Sequence, residues 1–145
     1  MPYNIFAPTP GRLGVLPNLL VGRCDAAIGN STTTTYSFGG HPAKCVINRA
    51  VVSAGTVPAS TSGTILAVLQ KYDASANTAV TLTDNVDLEA LTAKEGTAVT
   101  LLTTLTDAEK LLDTGDTVQF VVTTNNTVTT AAVDLMVNVE LLVQN

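Results

Sequence analysis

The stretch Val133-Asp134-Leu135-Met136-Val137-Asn138-Val139-Glu140-Leu141-Leu142-Val143-Gln144 decides the fold. Val133, Leu135, Val137, Val139, Leu141 and Val143 take one set of alternate positions, and Asp134, Met136, Asn138, Glu140, Leu142 and Gln144 the other. Successive side chains of a strand point to opposite faces, so this period of two predicts a β-strand with one face in a core. A slip of one residue would put the apolar set into water, which ties the register down.

Working back along the chain, the same texture recurs in short runs. Thr117 to Thr124 reads as a strand, and Asn125-Asn126, which tolerates positive φ, predicts a tight hairpin turn after it. Before it, Thr106 and Glu109 have capping-box spacing and predict one short helix, with Leu111 and Leu112 pinning it to the core and Gly115 releasing the chain. Thr97 to Leu102 reads as a strand. Val80, Leu82, Val86 and Leu88 alternate with Thr81, Thr83, Asn85 and Asp87, a half-buried strand broken near Asp84-Asn85. Ile65 to Tyr72 is apolar on both faces, as a central sandwich strand is, and Lys44 to Ala54 is rich in Val and Ile. The chain holds 24 Thr and 18 Val, stiff β-branched residues that favour strands. Six to eight short strands in about 100 residues read as an all-β sandwich, jelly-roll or immunoglobulin-like.

Residues 1–42 differ in character. Pro2, Pro8, Pro10, Pro17 and Pro42 stand among Gly11, Gly14, Gly22, Gly29, Gly39 and Gly40. Proline removes ladder donors and glycine adds backbone entropy, so long regular elements are not expected there. The reading is an extended N-terminal arm over 1–42, lying on a neighbour or on its own domain, followed by a sandwich domain over 43–145.

Composition narrows function. The chain has 145 residues, enough for one domain with a real core. Charged residues are 13% and hydrophobic ones 46%, with mean hydropathy +0.32; a typical soluble domain is about a quarter charged. Such a surface is expected to be covered in part by a partner. Net charge is -5, and Arg12, Arg23, Lys44, Arg49, Lys71, Lys94 and Lys110 are scattered singly. Nucleic acid and anionic membranes need clustered basic residues, so both are disfavoured as partners. No run approaches the ~20 apolar residues of a spanning helix, and the opening Met1-Pro2-Tyr3-Asn4-Ile5-Phe6 has no basic or apolar signal-peptide region. Cys24 and Cys45 are too few for a disulfide framework and are expected as thiols.

Catalytic chemistry finds little footing. Asp113-Thr114-Gly115 matches the segment in which aspartic proteases share a proton between two carboxylates. Here Asp116 adds a charge where that pattern has a small residue, and the 30 residues that follow are too few for the rest of such a fold. The better reading is a turn whose aspartate caps backbone donors. His41, the one histidine, sits in Gly39-Gly40-His41-Pro42, where nothing holds a catalytic base rigidly for Cys24 or Cys45. One His and two widely spaced Cys make no metal pattern. Asp84, Asp87 and Glu89, and Asp113 with Asp116, read as solvated loop charges, since their spacing is not that of a calcium loop. No catalytic, cofactor-binding or metal residue is assigned.

Four segments carry a family resemblance: Gly63 to Asp73 (GTILAVLQKYD), Val86 to Thr92 (VDLEALT), Leu111 to Val118 (LLDTGDTV), and Asp134 to Leu142 (DLMVNVELL). In texture and order the region from Gly63 to Val143 resembles the capsid cement, or decoration, proteins of tailed bacteriophages. The resemblance implies a jelly-roll-like β-sandwich with one short helix. It also implies a homo-dimer or homo-trimer on the capsid exterior of the virion, made in the host cytoplasm, bridging copies of the major capsid protein. No enzyme activity, cofactor or small-molecule substrate goes with it. The alternative is a carbohydrate- or receptor-binding sandwich of a spike or tail. Sugar sites use exposed Trp or Tyr; there is no Trp, and Tyr3, Tyr36 and Tyr72 are dispersed.

Overall fold

The computed structural model describes residues 15–40, 43–61 and 63–144. Within them twelve strands run β1 Val15–Arg23, β2 Thr33–Phe38, β3 Cys45–Ser53, β4 Ala59–Ser60, β5 Ile65–Asp73, β6 Thr78–Thr81, β7 Val86–Asp87, β8 Gly96–Val99, β9 Leu111–Leu112, β10 Thr117–Thr124, β11 Val128–Thr130 and β12 Met136–Gln144. A 3-10 turn spans Leu88–Ala90 and one short helix, α1, spans Asp107–Lys110.

Ten of the strands form two stacked antiparallel sheets, and β4 and β11 pair as a separate two-stranded one. Sheet A has the order β1-β12-β3-β8, with β9 also on β3; sheet B has the order β2-β10-β5-β6, with β7 also on β5. The pairing is nested: β1 with β12, β2 with β10, β3 with β8 and β5 with β6. Among these eight strands the first therefore joins the last and the second the second-to-last, inward to the fourth and fifth. A long antiparallel ribbon wound across two sheets in this way is a jelly roll. The all-β sandwich expected from the alternation is present, and the winding selects among its topologies.

The inner faces make one core. From sheet A come Cys45, Ile47, Ala50, Val52, Val137, Val139 and Leu141; from sheet B come Phe38, Ile65, Ala67, Leu69, Val118, Phe120 and Val122, all buried. They alternate with outward residues, as pleating demands, except between Ile47 and Ala50, where two outward residues intervene. Lys71 ends the inward row of β5 and is itself buried. Its Nζ donates to the carbonyls of Ala108 and Leu111 at 3.1 and 3.0 Å, tying sheet B to the end of α1 and to β9.

Several expectations hold in detail. Ile65–Asp73 and Cys45–Ser53 are strands, β5 central in its sheet. Thr106 caps α1 with the full capping box, Glu109 returning to the Thr106 backbone. Both cysteines are free.

Others need correction. No hairpin forms at Asn125-Asn126, because β11 pairs with β4 and not with β10; positive φ falls instead at Ser31, Asn77, Lys94 and Asp134. The turn at Asp134 (φ 51) breaks the alternation of the last strand, so Val133 is 50% exposed while Leu135 is buried. Long regular elements do occur before residue 43: β1 runs nine residues along β12, and β2 six along β10. Residues 15–23 and 33–38 thus lie on their own domain, which continues across the boundary drawn at 42. Residues 1–14 of the arm lie outside the described residues, as do His41 and Pro42.

Glycine and proline in β1 have local reasons. A Cβ on Gly22 would fall on the Phe38 ring, inside the 3.0 Å that real Cβ atoms respect, so glycine lets the two sheets close at this corner. The Cys24 amide donates to Leu135 O at 2.9 Å, just past the Arg23–Met136 pair. Parity then puts Gly22, Leu20 and Asn18 in hydrogen-bonded pairs and turns the amide position of Pro17 away from β12. Proline costs the ladder nothing there.

Candidate docking surface

The residue types singled out from sequence do not converge. Asp113 is half-exposed and pairs with Lys44 at 3.0 Å. The buried carboxylate of that turn is Asp116, which accepts the Ala74 amide at 3.1 Å and the Asp113 amide at 3.0 Å. The expected capping aspartate exists, three residues later than the protease-like motif suggested. Asp87 caps the 3-10 turn through the Glu89 amide, and Glu89 holds the Ser60 amide and hydroxyl, while Asp84 is exposed. Among the described residues no group of three or more His, Cys, Asp and Glu side chains is placed to hold a metal ion.

The two thiols differ from reactive ones. Burial, and then the charge of Asp25, push the Cys24 thiol up to about 12; burial also raises that of Cys45. A nucleophilic cysteine needs the opposite shift. The Tyr36 hydroxyl donates to Ala26 O at 2.6 Å, and burial pushes it up to about 12. Tyr72 is half-buried and bonded to Asn77.

What does converge is the outer face of sheet A. Because β1, β12, β3, β8 and β9 are in register, their outward residues form rows across the sheet. One row runs Leu142, Val46, Leu111. A second runs Val21, Asn138, Val51, Ala98, and a third Arg23, Met136, Ser53, Gly96. Leu19 is 58% exposed and Val21 50% exposed. An open groove of about 460 Å³ continues the first row, with Ala108 and Asp107 of α1 on its far wall.

Between the rows lies a β-bulge. The β3–β12 register shifts at Glu140/Leu141, so Asn48 and Arg49 together oppose Glu140. Asn48 Nδ2 donates to one carboxylate oxygen at 2.6 Å and Arg49 Nε to the other at 2.9 Å. These two donors hold the Glu140 carboxyl below its ordinary range. Arg23 likewise pairs with Asp25 and Asp134, both at 3.1 Å. The charges named on this face are thus paired within the chain, with one carboxylate in excess because Asp25 and Asp134 share Arg23, leaving a charge-poor, partly apolar surface. Sequence reasoning anticipated an incompletely wetted exterior but not this face, because Leu19 and Val21 sit in a segment whose strand character Pro17 and Gly22 conceal.

No family model, no curated protein and no solved structure matches this chain.

Proposed function

We propose that this chain is a non-enzymatic structural protein that docks through the outer face of sheet A onto a protein lattice, as a cement protein on the exterior of a tailed-phage capsid. The observation that carries the reading is the row Leu142–Val46–Leu111 with exposed Leu19 and Val21 beside it, among charges already paired at home. A surface with so few charges, most of them paired, can be desolvated at lower cost than one carrying isolated charges, the usual obstacle to burying polar groups at an interface. The surface it fits is itself apolar and near neutral, not strongly acidic or basic. Weak contacts of each copy, multiplied across a lattice, give large total stabilisation through effective concentration. The resemblance in the segments from Gly63 to Val143 supplies the capsid, with the major capsid protein as partner and a dimer or trimer as the assembled unit. A sugar- or receptor-binding role has less support, since Tyr36 is buried and Tyr72 is half-buried with its hydroxyl already bonded to Asn77. The reading is tested by adding purified protein to capsids assembled without it. Saturable uptake at a fixed ratio to capsid protein supports it; particles that take up none overturn it.

A further inference from the structure

A sandwich must manage the edges of its sheets, whose free N–H and C=O groups are templates for another strand. Two of the four edges here are short: β6 and β8 have four residues each. The β1 edge is longer but blunted. Pro17 offers no amide there, and the Leu19 amide is taken by Asn18 Oδ1 at 2.8 Å. Among the described residues strand β2 has no such device. The Thr124 amide donates to Thr32 O at 2.9 Å, so parity points Thr34, Tyr36 and Phe38 at β10 and directs the backbone of Thr33, Thr35 and Ser37 outward. All three residues are exposed, and β2 contains no proline and no charge. From Ala26 to Ala43 there is no Asp, Glu, Lys or Arg in a chain of net charge -5.

We propose that β2 is a self-association edge, pairing antiparallel with β2 of a second copy about a two-fold axis at Thr35. In that register Thr35 faces its own counterpart and Thr33 faces Ser37. Three pairs then exchange two backbone hydrogen bonds each, and their hydroxyls meet on one face. Sheet B continues from one copy into the next. The occupant is a second copy because the strand is its own complement under two-fold symmetry, and such an interface closes at two. The lack of charge from Ala26 to Ala43 also means that no like charges of this segment meet across the axis. This inference stands on the edge geometry and is independent of docking through sheet A, which the pairing leaves uncovered.

The test is sedimentation equilibrium of the full chain across micromolar concentrations, with Thr35→Pro and Thr35→Arg. The wild type is expected to be a dimer. Thr35→Pro removes an outward amide that the ladder to β10 does not use, and Thr35→Arg sets two cations across the axis. Each is expected to raise the dimer dissociation constant about tenfold or more, with the circular-dichroism spectrum unchanged. Should Thr35→Pro fail to fold, Thr35→Arg at its exposed site decides. A wild-type monomer throughout, or a dimer whose mass neither variant shifts, overturns the pairing. Capsid uptake by a monomeric variant would show docking and pairing to be separate.

Discussion

Replacing Gly22 by alanine tests whether β1 is clamped into the domain, as the structure has it. The added methyl falls on the face of the Phe38 ring, closer than any Cβ contact allows, and Phe38 is buried. Gly22 does not lie at positive φ, so the backbone accepts alanine and the cost is steric. Overpacking of this kind costs about 1–3 kcal/mol. For a domain of this size that lowers the melting temperature by roughly 3–10 °C. Phe38→Ala alone removes a buried ring and costs about 3–5 kcal/mol. In that background the methyl meets empty space, and alanine in place of glycine regains about 0.5–1 kcal/mol. The coupling between the two sites is then about 1.5–4 kcal/mol, read from urea denaturation of the wild type, both single variants and the double variant. Equal effects of Gly22→Ala in both backgrounds would refute the clamp, and with it the assignment of β1 to the corner of the sandwich.

Other outcomes follow from the same geometry. Asp116→Ala strips the Ala74 and Asp113 amides of a buried charged acceptor and is expected to cost about 2–4 kcal/mol in chemical denaturation. Asp113→Asn, which loses only an exposed pair with Lys44, is expected to stay within about 0.5 kcal/mol; the reverse order would contradict the assignment of roles in this turn. The Glu140 and Glu109 carboxyls are held below the usual 4.5 by side-chain and backbone donors. A lowered folded value means their stabilisation is complete above the unfolded value and is lost as pH falls through the folded one. Melting temperatures between pH 7 and pH 3 are therefore expected to fall less steeply for Glu140→Gln than for wild type. With its thiol pushed to about 12, Cys24 is expected to react with iodoacetamide at mildly alkaline pH far more slowly than a free thiol of ordinary acidity; a rate matching the free thiol would show the site to be open.

The fold was legible wherever one residue's neighbours in sequence decide its face. The alternation around Val137, Val139 and Leu141, the two-sided apolar run at Ile65, and the Thr106–Glu109 box are of this kind. The winding was not legible, because the pairing of β1 with β12 joins segments more than a hundred residues apart and no local signal encodes it. Val133 was misplaced because alternation continues through Asp134 in the sequence while a positive φ interrupts it in the chain. Strands β1 and β2 were hidden for opposite reasons. Pro17 and Gly22 suggest irregular backbone but occupy an edge position and a close approach, and the polar run Asn30 to Thr35, legible only as a solvated loop or a strand edge, leads into an edge strand whose Tyr36 and Phe38 pack on the core. The bulge that lets Asn48 and Arg49 close on Glu140 needs the partner strand to be seen, so the charge pairing of sheet A could not be read in advance.

Docking through sheet A is tested most directly by Leu19→Lys with Val21→Lys in a capsid-binding titration. Both side chains are at least half exposed, so folding stability is expected to change little. Burying what remains of them, at about 1.5–3 kcal/mol for a whole side chain, contributes roughly 1.6–3.2 kcal/mol to binding. The account predicts that the double variant, folded and of wild-type mass, binds capsids lacking the protein about 15- to 200-fold more weakly. A variant that binds as tightly as the wild type would contradict it.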